Sequence, residues 1–207
     1  MASDIDICNL ALSHIGDPAD ISAIEPPDGS VQAEHCARFY PIARDQLLAS
    51  HPWGFATKRI VGAVLSTSEL PASWGYAYAF PNPCLAVTDV FLPDATDDLA
   101  PQNFIGETLQ DGTRVIFTNA GNAVLRYVVP ITDTTKFSAL FITAFARLLA
   151  SYLAGPIIKG KEGRAEAKAQ RLLFEQLEFP RAATGDHLTR RNNQYRDATP
   201  AGVAARA

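Results

Sequence analysis

The spacing of apolar side chains predicts four helices, two before and two after a segment with strand-like patterning. The first helix should run over about residues 4–15, capped by Ser3 or Asp4 and ended by Gly16. The second should begin after Ser30 and extend to about residue 50, with Pro41 kinking it inside an unbroken apolar stripe. These two patterns predict amphipathic helices that share one core.

The third helix has the clearest pattern in the chain. Its apolar positions recur in steps of three and one, at Phe137, Leu140, Phe141, Ala144, Phe145, Leu148, Leu149 and Tyr152. Gly155 and Pro156 are expected to end it. A charged fourth helix should follow over about residues 162–178, with Pro180 ending it.

Between the second and third helices, residues 59–131 are typical of short strands bounded by Pro, Gly and Ser. The pair Asp111 and Gly112 separates two such runs and predicts a type I′ hairpin turn. With a third run over residues 123–129, the pattern predicts a three-stranded meander.

Together these elements predict a mainly helical α+β fold, a four-helix bundle with one small antiparallel sheet inserted between helices 2 and 3. The bundle would comprise residues 1–58 and 132–180, and the insertion residues 59–131. Residues 181–207 are rich in Arg and small or polar residues, so we expect an extended C-terminal arm that becomes ordered only on a partner.

Composition narrows the class of protein. A hydrophobic content of 47% is enough for a core, and a net charge of −4 gives no general attraction to nucleic acid. Three widely spaced cysteines predict neither a disulfide framework nor a zinc site. We expect a cytosolic protein with no membrane segment, because no apolar run approaches about 18 residues and the start lacks a secretory pattern.

No motif supplies catalytic chemistry, so we predict no catalytic residue, no cofactor, no metal and no enzyme activity. Residues 155–162 approximate a phosphate-binding loop, but Glu162 stands where a hydroxyl would bind magnesium, and the segment follows a helix. Cys36 lies on the apolar stripe of the second helix, which favours a buried, inert thiol over a nucleophile. A small soluble hydrolase stays open as an alternative.

Several segments resemble the tail tubular protein A, or head-to-tail adaptor, family of short-tailed bacteriophages. They are residues 7–16 (ICNLALSHIG), 37–48, 51–56 (HPWGFA), 76–81 (YAYAFP) and 125–149. The resemblance implies a helix bundle with a β insertion and a homo-oligomeric ring of twelve copies between the portal protein and the tail nozzle. It also implies that genomic DNA passes through the lumen without sequence-specific binding. The location would be the virion, at the head-tail interface, after assembly in the host cytoplasm.

Charge suggests where such an adaptor would make its contacts. We predict a portal-docking arm that includes Arg181, Arg190, Arg191, Tyr195 and Arg196. A contact to nucleic acid, or a terminus without function, are the alternatives for this segment. An acidic group comprising Asp94, Asp97 and Asp98 could face the channel, where negative charge would keep DNA from adhering. Relatives with peptidoglycan-hydrolysing activity make a tail-associated hydrolase part of the hydrolase alternative, although no residue here can be assigned to it.

Overall fold

A computed structural model of the chain describes residues 2–95 and 100–189. Its helices are α1 (Asp4–His14), α2 (Val31–Ala49), α3 (Ala139–Ile158), α4 (Gly160–Leu173) and α5 (Phe179–Thr189). The predicted starts of the first two are confirmed. Ser3 Oγ accepts from the Asp6 amide at 3.1 Å while the Asp6 carboxylate accepts from the Ser3 amide at 2.8 Å, and Ser30 Oγ accepts from the Ala33 amide at 3.1 Å.

The third helix lies at the centre of the helical core. It packs against α1, α2 and α4, and its buried side chains include Phe141, Phe145 and Leu149. By length and composition alone, α3 is apolar enough to cross a membrane, a feature that the sequence analysis overlooked. Half of that apolar stretch is buried inside the protein, which a core helix also requires.

Two helix ends differ from the predictions because proline is tolerated at both. α3 continues through Pro156 to Ile158 and ends where Lys159 takes a φ of 65°. After α4, a π-helical segment (Phe174–Glu178) leads directly into α5, so Pro180 does not end the helix. The Phe179 amide donates to the Phe174 carbonyl in a π-type turn. Because this turn already interrupts the regular hydrogen-bond series, the missing N–H of Pro180 costs little.

The strands are β1 (Thr57–Val61), β2 (Tyr76–Ala79), β3 (Ala86–Phe91), β4 (Phe104–Thr108), β5 (Arg114–Thr118) and β6 (Val124–Val128). They form two three-stranded antiparallel sheets, ordered β1-β6-β3 and β2-β5-β4. The predicted fold, a four-helix bundle with one small sheet and an extended arm from residue 181, is therefore wrong. The protein is α+β with two sheets, and residues 181–189 are helical.

The predicted meander is also wrong, because β6 leaves β5 and pairs with β1 and β3. The transfer occurs at the turn between β5 and β6, where Asn122 has a φ of 52°. The buried hydroxyl of Tyr78 fixes this turn, since it donates to the Ala120 carbonyl at 2.8 Å and accepts from the Ala123 amide at 3.1 Å. Side chains of both sheets then share one small core.

The hairpin between β4 and β5 has a different turn from the one predicted. Gly112 has a φ of +85°, whereas the φ of Asp111 is not positive. The Leu109 carbonyl accepts from the Gly112 amide at 2.9 Å, and the Leu109 amide donates to the Thr113 carbonyl at 2.9 Å. Type I′ needs two positive φ angles, so the loop is longer, with a single left-handed glycine.

Candidate docking surface on the C-terminal helix

The C-terminal helix α5 is attached to the connection between α2 and β1. Asp186 Oδ1 accepts from the Gly54 amide at 2.9 Å, and its Oδ2 lies 3.3 Å from His51 Nε2. The side chains of His51 and Asp186 are only 9% and 10% exposed. A carboxylate held in this way by a backbone amide and an imidazole fixes the position of its helix.

Aromatic packing extends this attachment into the core. The His51 ring makes edge contacts with His187, at 4.9 Å between centroids, and with Trp53, at 4.7 Å. Trp53 is fully buried, and its Nε1 donates to the Leu47 carbonyl at 2.8 Å. α5 is therefore a fixed part of the helical core up to at least His187.

An open apolar groove lies where α5 crosses the start of α3. It has a volume of about 570 Å³ and is lined by Leu140, Pro180, Arg181, Thr184, Gly185 and Leu188. Leu140 is 44% exposed and Leu188 is 62% exposed. A Cβ on Gly185 would lie 2.5 Å from Leu140 Cδ1, so the Leu140 side chain packs directly over this glycine. Arg181 places a guanidinium at this otherwise apolar groove.

The helix ahead of α5 adds further exposed apolar side chains. Leu172, Leu173 and Leu177 are about two-fifths exposed, at 41%, 40% and 37%. Single exposed leucines are normal on a protein surface, so these three add no argument for a binding surface. We call the groove at Leu140 and Leu188 the α5 surface.

The structure describes only part of the predicted sites. Arg181 is exposed on α5, while Arg190, Arg191, Tyr195 and Arg196 lie outside the described residues. Asp94 is exposed in the loop after β3, at the edge of a pocket that also includes Gln102. Asp97 and Asp98 lie outside the described residues as well. The link from Asp186 to His51 could not be predicted from the sequence, because the two residues are far apart in the chain.

The predicted burial of Cys36 is confirmed, and Cys8, which is also free, is fully buried as well. A hydrogen bond between the thiols of Cys36 and Cys8, together with burial, raises the pKa of Cys8 far above its ordinary value. Residues 155–162 join two helices, as expected, but only Lys159 lies between α3 and α4, and Lys159 and Gly160 both have positive φ. Within residues 2–95 and 100–189, no three His, Cys, Asp or Glu side chains cluster in a way that could bind a metal ion.

Comparison with known proteins adds no relative. No protein-family model matches the chain, and a search of curated proteins gives no match either. The resemblance to phage adaptors therefore stays a prediction based on the segments quoted above.

Proposed function

We propose that this chain is a structural virion protein, a head-to-tail adaptor that assembles into a ring and docks onto the portal through the α5 surface. The observation that carries the proposal is the open apolar groove beside Arg181, from which the chain leads into the Arg-rich residues 190–207. The buried centre of a protein interface is more apolar than the rest of the surface, and arginine is enriched in interfaces.

The two leucines of the groove would supply the apolar part of the contact. Leu140 and Leu188 present area to solvent that a partner could bury, and burial of apolar area is the main favourable term in association. Arg181 would add a charge-assisted hydrogen bond to a carboxylate of the portal. Residues 190–207 would contribute further such pairs and give the docking its salt dependence.

Ring assembly needs a second, different surface, because head-to-tail contacts join unlike faces of neighbouring subunits. Strand β1 offers one. It is an edge strand of its sheet, and Ile60 and Val61 on it are 47% and 63% exposed. The strand also carries Lys58 and Arg59. Its position at the edge of the sheet and its two exposed apolar side chains support its assignment to the contact between subunits.

The remaining partners belong to the same proposal. The tail nozzle would attach to the ring, and genomic DNA would pass through the lumen without sequence-specific binding. Asp94 is exposed and so available to a channel surface, where a carboxylate would repel phosphate. The ring of twelve is the number that the family resemblance suggests.

The test is light scattering after size exclusion, on the purified protein alone and mixed with the portal protein from the same genome. We expect a stoichiometric ring on the portal. Leu188→Asp and Arg181→Glu should each weaken it, because they place a charge in the apolar contact or reverse the charge that pairs with the portal.

Matched controls come from the second helix. The exposed fraction of Val31 is 60%, similar to the 62% of Leu188, and Arg38 is exposed on α2. Val31→Asp and Arg38→Glu therefore repeat the chemical changes on a different part of the surface. Both control variants should bind the portal normally. No association by the unaltered protein would refute the adaptor function. Equal binding by all four variants would refute the α5 surface as the docking site.

A further inference from the structure

A second feature, remote in sequence from α5, is a polar cleft beside the proline of α2. It has a volume of about 340 Å³, at the lower end of the range of ligand sites. Its walls come from α1, α2, the loop before α2 and the segment before α3. They are Asp4, Ile24, Glu25, Ala37, Tyr40, Pro41, Arg44, Thr132 and Thr134.

Tyr40 contributes a buried hydroxyl to this cleft. Its side chain is 6% exposed and its ring packs on Phe145, with centroids 4.8 Å apart. The hydroxyl has no hydrogen-bond partner among the residues that the structure describes. Burial raises the pKa of Tyr40 well above its ordinary value, so the group is a neutral hydroxyl at any physiological pH. A buried hydroxyl without a partner is unfavourable, and a ligand atom that forms a hydrogen bond with it removes that penalty.

Pro41 leaves a second acceptor at the same place. An α-helical carbonyl accepts from the amide four residues later, and for Ala37 that residue is Pro41, which has no N–H. Ala37 lines the cleft together with Pro41. The helix therefore lacks one internal donor at the wall of the cavity. The pyrrolidine ring occupies the position of the missing N–H, so a ligand donor has to approach the Ala37 carbonyl from the side that faces away from the ring.

The charges at the cleft favour a cation. Asp4 and Glu25 contribute two carboxylates, and Asp4 uses one oxygen for the Ile5 amide at 2.9 Å. Arg44 is the opposing charge, but its Nε already donates to Asp45 Oδ1 at 2.8 Å. With Arg44 neutralised by Asp45, the two carboxylates give the cleft an excess of negative charge.

We propose that this cleft binds the guanidinium group of an arginine side chain. Guanidinium has five N–H donors in a rigid plane. The cleft offers carboxylates from α1 and from the loop before α2, and the hydroxyl of Tyr40 on α2. An ammonium carries only three donors on one atom and would reach fewer of them. The arginine would come from another chain. In this sequence, the Arg-rich residues 190–207 of a second copy carry the matching chemistry.

The experiment is a two-dimensional amide NMR titration of the full chain, without any portal protein, using N-acetyl-arginine methylamide as the probe. We expect shifts concentrated at residues 37–44 and 132–134, with saturation. The citrulline analogue, which has the same shape without the charge, should give no saturating shifts, and the lysine analogue should bind several-fold more weakly. Equal shifts with citrulline, or saturation by acetate in place of arginine, would overturn the proposal.

Variants locate the binding in the cleft. Tyr40→Phe keeps the ring that packs on Phe145 and removes only the hydroxyl, so the dissociation constant should rise about tenfold, as expected for one hydrogen bond to a charged group. Glu25→Gln should weaken binding in the same direction. Asp20→Asn removes an exposed carboxylate that does not line the cleft and should change nothing. Unchanged affinity in both cleft variants would refute the site.

A peptide of residues 190–207 identifies the source of the arginine. If it competes with the probe, and a version with citrulline in place of arginine does not, then the ligand is a second copy of this chain. If it fails to compete while the probe still binds, the guanidinium site stands and residues 190–207 are excluded as its ligand. Because no portal is present, this result is independent of the adaptor test.

Discussion

Replacing Gly163 by alanine tests the packing of α4 on α3. A Cβ at this position would lie 2.9 Å from the Ala154 carbonyl oxygen and 3.2 Å from the Gly155 carbonyl oxygen. Both atoms belong to the backbone of α3, so they cannot move aside as a flexible side chain would. The two helices can accommodate the methyl group only by separating.

Two opposing effects set the magnitude of the change in stability. Alanine is favoured over glycine inside a helix by about 0.5 to 1 kcal/mol. Forcing an extra methyl into a close contact costs about 1 to 3 kcal/mol. The variant Gly163→Ala should therefore be less stable by up to about 2.5 kcal/mol, even though propensity alone predicts a gain.

Gly155→Ala is the matched control, because it makes the same substitution on the partner helix. Outside its two chain neighbours and its own helix backbone, no atom lies within 4 Å of the Cβ that it would add. Pro156 follows, and its ring disfavours a helical residue with a Cβ before it, which offsets the gain in helix propensity. Gly155→Ala should therefore be more stable than Gly163→Ala and close to the unaltered protein. Urea unfolding followed by circular dichroism measures both variants, with an unchanged m-value as the check on two-state behaviour. Equal stability of Gly163→Ala and Gly155→Ala would refute the close contact.

Three further predictions concern single polar groups. Tyr78→Phe should lower stability by about 1 to 3 kcal/mol in the same urea assay, because the buried Ala123 amide loses its acceptor; an unchanged midpoint would contradict the role of the hydroxyl in joining the sheets. Burial, followed by the charge of Arg147, lowers the pKa of His14 in the folded protein below its ordinary 6.5. The unfolded chain therefore binds more protons than the folded protein just below pH 6.5. Stability should fall as the pH drops through 6.5 towards the lower folded pKa. His14→Gln should flatten this pH dependence, and an identical slope would argue against it. Amide and hydroxyl hydrogen bonds to the carboxylate of Asp28 depress its pKa in the folded protein. The stability that Asp28 contributes should be present above its ordinary pKa near 3.8 and be lost as the pH falls towards the lower folded pKa. Asp28→Asn should remove this effect from acid unfolding curves.

Features that depend on neighbouring residues could be predicted from the sequence. The caps at Ser3 and Ser30 depend on hydrogen bonds within three residues, so their positions alone indicated where two helices begin. The burial of Cys36 followed from helical periodicity, since its position relative to the apolar stripe fixed the side that it faces. A positive φ at Gly112 was likewise expected from the Asp-Gly pair, although the exact turn type was not.

Proline was the point at which local reasoning failed within helices. Pro156 and Pro180 each remove one donor, which is a reason to end a helix when only the local sequence is considered. In the fold, α3 is buried on several sides and a π-helical turn precedes Pro180, so packing and a rearranged turn compensate for the lost bonds. That compensation has no local signature.

Sheet partners, the α5 surface and the cleft were decided by the tertiary structure alone. β6 could pair with β5 or with β1 and β3 on local grounds, and the choice depends on Tyr78, which is more than forty residues away in the chain. His51 contacts Asp186 although 135 residues separate them in the chain. The cleft at Tyr40 is lined by residues from four separate segments. Capping and periodicity act between residues that are near in sequence, and so the sequence determined where helices begin and which sides they bury. Pairing and cavity formation depend on which distant surfaces come together, a choice that is made only when the whole core is packed.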